Sequence, residues 1–384
     1  MKVIQNLLRE PADVASALAA MQALQPQLLL VFGSAAWLAA VAEPVAAQFA
    51  AAVRLGCSTA GEISAQGVSD DTCAITAVQF DSTRVQAVST PLLAMQDSRA
   101  AGRALADGLP RPGLRAMLVL GQGVNINGSA LVAGLTDVLG TEVLVTGGLA
   151  GDAAAFRQTF VLTDAGLASD SLAGVGFYGD DLLVSHGSYG GWEPFGPARK
   201  VTRCDHNLLF ELDGEPALDV YKRYLGDHAK DLPASGLLFP LAMLGPDHAD
   251  IGLLRTILAV DEAQGSLTLA GDIDADGFLR LMHASTQALI DGAQTAAEAA
   301  SAAGGQAGQS LAVLVSCVGR KLVMGGRVEE EVEAVADVLG RNAVLTGFYS
   351  YGEISPFSDE RLCRLHNQTM TITCLAERTH RLAG

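Results

Sequence analysis

Three segments of the sequence repeat one order of hydrophobic and polar positions. Each contains an apolar run, a loop, an amphipathic stretch, a second apolar run and a glycine-rich bend that ends in Gly-Glu or Gly-Asp. The segments begin at QLLLVFGS, RAMLVLGQG and SLAVLVSCVG and end at AGEI, AGD and YGEI. Continuous apolar runs are typical of strands buried on both faces, as in parallel sheets. The pattern predicts an α/β fold of repeated strand–helix–strand units in mixed, largely parallel sheets.

Helical spacing is clearest in the second and third segments, in each case between the two apolar runs of that segment. The apolar positions at this spacing are Leu131, Leu135 and Val138 in the second segment and Val328, Val332, Val335 and Leu339 in the third. Gly140 and Gly340 stand where a helix C-terminal glycine is expected. An alanine-rich stretch predicts a further helix from about Ser285 to Ala303, before Gly304 and Gly305. The apolar runs around DEAQG predict a β-hairpin. We place a domain boundary near residue 220, which gives domains 1–220 and 221–384.

Composition narrows the class of protein. The chain has 384 residues, 49% of them hydrophobic, with 25 basic and 42 acidic side chains and a net charge of −17. This composition is foldable, and its acidic balance argues against binding nucleic acid or an anionic membrane. We find no apolar run of membrane-spanning length and no secretion signal. Six single cysteines without a CxxC pair favour reduced thiols and a cytoplasmic location.

Two motifs resemble ligand loops, and each has a plainer explanation. DIDADG, residues 272–277, begins like a calcium loop, but His283 stands where the bidentate glutamate belongs. A carboxylate-rich turn after the hairpin explains it better. GQGVNING, residues 121–128, lies between a strand and a helix, where backbone N–H groups can bind an anion. A tight strand-to-helix turn is the favoured alternative for this motif.

An acid follows a glycine in each of the three bends: Glu62, Asp152 and Glu353. The carboxyl ends of strands line the ligand crevice of α/β sheets, so these acids could hold a ligand cation. They could equally cap the N–H groups of their own loops. Cys57, beside Glu62, could be a nucleophile or a small packing residue. No nucleophile–base–acid set is evident, and we expect a protein without catalytic activity.

Long motifs in order carry a family resemblance over about residues 28–377. They are GCSTAGEI, GGLAGD, GGWEPFGPARKVT, ELDGEPALDVYKRYLG, LVSCVGRK, GFYSYGEISPF and LHNQTMTIT. The chain resembles the FIST family, a bacterial sensory module with N-terminal and C-terminal parts. The resemblance implies an intracellular sensor of small ligands, for which amino acids have been suggested. SCVGRKLVMGGRVEEEVE and LHNQTMTIT look closest to members that bind haem, sense nitric oxide and regulate histidine kinases or cyclic-di-GMP enzymes.

The resemblance assigns a pocket to the bends and the last strand. The residues implied are Cys57, Ser58, Thr59, Gly61, Glu62, Trp192, Arg320, Tyr349, Tyr351, Glu353 and Asn367. In a haem sensor, His366 is the preferred iron ligand and His186 the reserve. In a metal-free amino-acid sensor, the bend acids would bind the ammonium and Arg320 the carboxylate. Since no kinase or cyclase segment is fused here, the output enzyme would act in trans, and a homodimer is compatible with the resemblance.

Overall fold

The computed structural model describes residues 1–301, 308–357 and 361–378. The α-helices in these ranges are α1 (Asp13–Gln22), α2 (Ala35–Gln48), α3 (Ser98–Asp107), α4 (Gly128–Leu139), α5 (Ala217–Leu225), α6 (Thr286–Ser301), α7 (Val318–Met324) and α8 (Glu329–Leu339). Short 3-10 turns lie at Met95–Asp97, Gly226–Asp231, Ala234–Leu237 and Gly325–Arg327. None of the helices described is long and apolar enough to span a membrane.

Three six-stranded sheets share one strand order. Sheet I runs Lys2–Leu8, Cys73–Gln79, Leu28–Gly33, Val53–Ser58, Val161–Thr163 and Gly166–Ala168. Sheet II runs Arg84–Pro91, Ser171–Tyr178, Leu114–Gly121, Leu144–Leu149, Gly352–Pro356 and Cys363–His366. Sheet III runs Leu182–Tyr189, Met370–Glu377, Ser310–Cys317, Ala343–Ser350, Glu62–Ser64 and Gly67–Ser69. The predicted α/β fold with repeated units is confirmed.

The third and fourth strands of each sheet form its parallel pair, and the other described pairings are antiparallel. The expectation of largely parallel sheets was therefore wrong. The apolar runs are continuous because both faces of each sheet are covered. Helices cover the outer faces, while the inner faces meet in a shared core where the rings of Phe32 and Phe348 lie 4.9 Å apart. Burial on both faces does not require parallel pairing.

Each unit gives its last hairpin to another unit's sheet. The hairpin of residues 62–69 follows a sheet I strand in sequence but pairs with Ala343–Ser350 in sheet III. The hairpin of residues 161–168 follows sheet II but pairs with Val53–Ser58 in sheet I. The paired strands Gly352–Pro356 and Cys363–His366 follow sheet III in sequence, but Gly352–Pro356 pairs with Leu144–Leu149 in sheet II. This cyclic exchange joins the three units into one body.

A fourth sheet lies between the second and third units in sequence. Sheet IV runs Asp250–Arg255, Leu241–Leu244, Phe278–His283, Arg199–Asp205, Leu208–Leu212, Ser266–Leu269 and Ile257–Asp261, with Glu193–Pro194 and Glu215–Pro216 paired at its sides. Helix α5 packs on it through Leu218 and Tyr221. The predicted hairpin around DEAQG is confirmed by the pairing of its last two strands.

The predicted alanine-rich helix corresponds to α6. Residues 302–307, which include the end of that prediction and both glycines after it, lie outside the described residues. The boundary near residue 220 stays a prediction. Sheets II and III contain strands from both sides of it, because of the hairpin exchange.

Candidate functional site

The three glycine-rich bends come together, as the pocket hypothesis requires, but they touch directly. Gly151 N donates to Ser58 O at 2.8 Å, and Tyr351 N donates to Leu149 O at 3.1 Å. Tyr349 and the first bend exchange two further backbone hydrogen bonds, through Ala60 N and Gly61 O. The ring of contacts closes around the three units. Each of these hydrogen bonds joins the backbone of one bend directly to the backbone of another.

The bend acids accept hydrogen bonds from their own loops. Glu62 accepts from the hydroxyl of Thr59 and from the N–H and hydroxyl of Thr72. Glu353 accepts from Ser350 Oγ at 2.7 Å and from the N–H and hydroxyl of Thr369. The two acids are equivalent positions of the repeat with equivalent partners. These are the contacts that the capping alternative predicts.

The acid of the second bend follows the same rule. Asp152 accepts from the N–H groups of Phe156, Arg157 and Gln158 and from the hydroxyl of Tyr351. The Tyr351 ring stacks on Phe156 with centroids 4.1 Å apart. Burial raises the pKa of the Tyr351 hydroxyl above its ordinary value, so it is a hydrogen-bond donor at neutral pH. All three acids thus have loop partners.

Arg320 is fully buried and committed to structure. Its guanidinium donates to Glu331 Oε2 at 2.8 Å and to the backbone carbonyls of Leu289 and Gly190. Tyr349 donates to the other oxygen of Glu331 at 2.7 Å. We expected Arg320 to bind a ligand carboxylate, but its guanidinium is already neutralised by Glu331 within the core.

The remaining residues of the predicted pocket are buried or half-buried at dispersed positions. Cys57 lies in the strand Val53–Ser58, and burial raises the pKa of its thiol well above the ordinary value, which disfavours a nucleophilic thiolate. Ser58 Oγ accepts from Phe160 N at 2.8 Å. Trp192 Nε1 donates to Gln368 O at 2.8 Å. Gly61 adopts a φ of 131°, which favours glycine, in the ring of bends.

The two candidate iron ligands lie near each other. His366 is buried, its Nε2 contacts Ser355 O at 2.8 Å, and its ring packs edge-on against Phe357. Because a carbonyl only accepts, the proton belongs on Nε2 and Nδ1 keeps a lone pair. Burial lowers the pKa of His366 to about 4, with a small contribution from His186, and burial also lowers the pKa of His186.

Two buried polar atoms of the predicted ligand residues have no hydrogen-bond partner among the described residues. One is Nδ1 of His186, and the other is Oδ1 of Asn367, the residue after His366. Buried polar atoms in folded proteins are nearly always hydrogen-bonded, so both atoms have unused capacity. The roles of His186, His366 and Asn367 in ligand binding stay predictions.

Glu353 gives the protein a measurable pH dependence. Burial, only partly offset by its hydrogen bonds, raises the pKa of this carboxyl from 4.5 to about 7. The unfolded chain loses the proton first as the pH rises, so ionising Glu353 in the folded protein costs stability between pH 4.5 and 7. We expect the stability of wild type relative to Glu353→Gln to fall by about 3 kcal/mol over that interval.

Urea unfolding of both proteins at several pH values checks this expectation. A difference between the two that stays constant from pH 4.5 to 7 would contradict it. The stability of wild type must be compared with that of Glu353→Gln because His366, the cross-strand neighbour of Glu353, changes the stability of both proteins with pH in the opposite direction. Its lowered pKa makes stability fall as the pH drops from 6.5 towards 4.

A cleft of about 490 Å³ lies where helix α4 faces sheet IV and the strand Cys363–His366. We call it the α4 cleft. Its lining residues are Ser129, Val132, Ala133, Thr136, Asp137, Met243, Ile251, Leu253, Arg255, Asp272, Ile273, Asp274, Leu362, Cys363, Arg364 and Leu365. Mostly apolar walls with a few charged groups, at this volume, are typical of small-molecule sites. No residue of the predicted pocket lines it.

The two loop motifs of the sequence meet at one end of the α4 cleft. GQGVNING contains Asn127, whose Oδ1 accepts a hydrogen bond from Ala130 N and so caps the start of α4. Asn127 Nδ2 donates to Asp272 Oδ1 at 2.9 Å, and Asp272 N donates to Ser129 Oγ at 3.2 Å. Both segments are turns, and the absence of a bound ion at either stays a prediction. Their docking on one another builds a wall of the cleft.

Arg255 is the buried charge of the α4 cleft. It is 4% exposed, and its guanidinium donates to the carbonyls of Asp272 and Leu254 at 2.9 Å and, at 3.5 Å, of Leu365. Burial lowers its pKa to about 10, with Asp272 opposing the shift and Arg364 adding to it. Gly271 permits this arrangement, since a Cβ there would lie 3.0 Å from Arg255 Nε.

Sequence reasoning missed the α4 cleft because its walls come from three distant parts of the chain. One signal was available: Arg255 interrupts the apolar run LLRTILAV, and arginine is rarely buried without a partner. The α4 face carried no signal, since Val132 and Ala133 read as ordinary core positions. Only the docking of sheet IV on α4 reveals that they face a cleft.

Comparison with known proteins agrees with the two-part organisation. A family model described as the FIST N domain matches residues 27–215, and one described as the FIST C domain matches residues 217–356. No curated protein matches the sequence. The crystal structure of cyanuric acid hydrolase from A. caulinodans aligns with 98% of this chain and 99% of its own, at 11% identity and a TM-score of 0.39. A similarity of that size supports no inference about activity.

Proposed function

Because the chain belongs to the FIST family, whose domains are signalling sensors that bind small ligands, we propose that it senses a small metabolite in the α4 cleft. The observation that carries this proposal is the cleft itself. Its α4 wall lies within the FIST N match and its sheet IV wall within the FIST C match. A ligand there would touch both parts of the module and could change how they pack.

The lining favours an amino acid or a related metabolite. Val132, Met243, Leu253 and Leu365 offer an apolar surface, and charged groups of both signs lie along the same cleft. Such a site suits a molecule with an apolar body and a zwitterionic head. This is the metal-free sensor of the sequence analysis, with the site moved from the bends to the α4 cleft.

Thermal-shift measurements with the twenty amino acids, and with sugars and nucleosides as neutral metabolites, test this function. A ligand that binds only the folded state stabilises it according to its concentration over Kd, by about 2.7 kcal/mol at 100 times Kd. We expect an amino acid to raise the Tm of wild type and to leave that of Ala133→Trp, which fills the cleft, unchanged. Ala336→Trp, on the exposed face of α8, is the matched control and should respond like wild type.

Equal shifts in wild type and Ala133→Trp would place the ligand elsewhere. If no compound of the panel raises the Tm of wild type, the amino-acid proposal is wrong.

A haem-based sensor is the second candidate, and one observation favours it. His186 Nδ1 is a buried ring nitrogen without a partner among the described residues, and His366 keeps a lone pair on Nδ1. Both imidazoles have lowered pKa values and are neutral at physiological pH, as iron ligation requires. The iron would supply a binding site for a diatomic gas such as nitric oxide.

Hemin titration of the apoprotein separates the two candidates. A Soret band that His186→Ala or His366→Ala alters would favour the haem sensor. A spectrum identical in wild type and both variants would eliminate it. In either case we propose a cytoplasmic sensor whose output is a histidine kinase or cyclic-di-GMP enzyme acting in trans, with the exposed surface of the same module contacting that enzyme.

A further inference from the structure

We propose that the α4 cleft recognises its ligand through a carboxylate, bound by Arg255 and Arg364 beside the N-terminus of α4. This inference rests on the proposed function and specifies which chemical group the site reads. It differs from the carboxylate contact expected at Arg320, which the structure places in a neutralised core pair.

The first argument is the state of Arg255. It is almost completely buried and lines the cleft, yet its described partners are backbone carbonyls. Within residues 1–301, 308–357 and 361–378, several other arginines form ion pairs with acids, but Arg255 forms none. Asp272 attracts this guanidinium electrostatically, but no described carboxylate forms an ion pair with it, and burying a cation without an ion pair is costly. Burial also lowers the pKa of Arg255. An anionic ligand would supply the ion-pair partner.

The second argument is a second guanidinium. Arg364 lines the same cleft, and its charge contributes to the lowered pKa of Arg255. Two like charges that line one cleft repel each other, which makes both charged side chains less favourable there. A carboxylate placed between two guanidinium groups accepts charge-assisted hydrogen bonds from both. The negative charge of the ligand therefore offsets the repulsion between the two guanidinium groups, and this contributes to the free energy of binding.

The third argument is the end of α4. The helix has 12 residues, its first turn faces the cleft through Ser129, and its N-terminus carries a partial positive charge. Ser129 Oγ accepts from Asp272 N, so its hydroxyl proton remains available as a donor. A carboxylate near Arg255 would therefore meet two guanidinium groups, a hydroxyl and a helix N-terminus.

The acids of the lining limit the ligand to about one negative charge. Asp137 is neutralised by Arg99 and Arg103. Asp272 and Asp274 line the same cleft, and Asp274 is exposed. Two such carboxylates beside the two guanidinium groups disfavour a phosphate, which brings up to two charges, over a carboxylate. They would also attract an ammonium group on the same ligand.

Calorimetry with the twenty L-amino acids and their α-carboxamides tests the inference on the full chain. We expect the amino acid that binds best to bind at least 10-fold more tightly than its amide. Arg364→Gln should lose at least 10-fold in affinity for the acid and little for the amide. Arg361→Gln, three residues away and outside the lining, is the matched control and should bind as wild type does. Inorganic phosphate at 10-fold excess should not compete.

The Arg364→Gln variant decides the test, because Arg364 is exposed and its replacement leaves the fold intact. Arg255→Gln would also remove hydrogen bonds within the fold. Equal binding of acid and amide, or unchanged binding by Arg364→Gln, overturns carboxylate recognition. If Ala133→Trp abolishes binding in that case, the proposed function survives without it. Competition by phosphate would overturn the limit of one charge.

Discussion

Replacing Glu331 by alanine should destabilise the protein by about 3–5 kcal/mol, because it leaves the guanidinium of Arg320 buried without its counter-ion. Both side chains are fully buried, and their nearest charged atoms are 2.8 Å apart. The same carboxylate also accepts from Tyr349 and Ser316, so alanine would leave three donor side chains without their acceptor. The shift of the urea unfolding midpoint measures the loss.

Two variants make this result specific. Glu333→Ala, on the exposed face of the same helix, should change stability by no more than about 0.5 kcal/mol. Arg320→Met combined with Glu331→Leu removes both charges and should recover much of the loss, since apolar replacements of buried ion pairs are often tolerated. If Glu331→Ala lowers the free energy of unfolding by less than about 1 kcal/mol, the expectation is wrong, because Arg320 does not then need Glu331 as its counter-ion.

Expressing residues 1–216 alone should yield a chain that does not fold cooperatively, although these residues contain the whole FIST N match. Cutting there removes Gly352–Pro356 and Cys363–His366 from sheet II. It also leaves the hairpin of residues 62–69 without the strand Ala343–Ser350 on which it pairs. Inner-face side chains such as Phe32 would lose their partners and face water.

Co-expression provides the control for this experiment. Residues 217–384 supplied in trans should restore a soluble complex with the cooperative unfolding of the intact chain. A sharp, reversible thermal transition for residues 1–216 alone would contradict the expected dependence. It would show that the hairpin exchange is dispensable for folding and would support independent domains on either side of residue 220.

The repeated units could be predicted from sequence because their hydrophobic pattern is local. The helix at Glu329–Leu339 and the glycine after it follow directly from the spacing of valines and leucines. The hairpin exchange could not be predicted in this way. Residues 62–64 pair with a strand more than 280 positions later, and nothing in the short hairpin itself specifies which sheet it joins.

The candidate site was only partly accessible to sequence reasoning. Glycine and acid at the strand ends correctly indicated that Glu62, Asp152 and Glu353 belong to equivalent bends, which meet in space. Whether such bends enclose a space depends on distances of a few ångströms, and in this protein backbone hydrogen bonds join the bends directly. The structural role of Arg320 depends on Glu331, whose carboxylate is fully buried although an acid on this helix gives no sequence signal of burial.

The most direct test of the ligand site is a crystal structure of the protein grown with its most stabilising amino acid at saturating concentration. The account predicts density for that molecule between α4 and sheet IV, with its carboxylate against Arg255 and Arg364. Density among the bends around Glu62 and Tyr351, with the α4 cleft holding solvent alone, would contradict it.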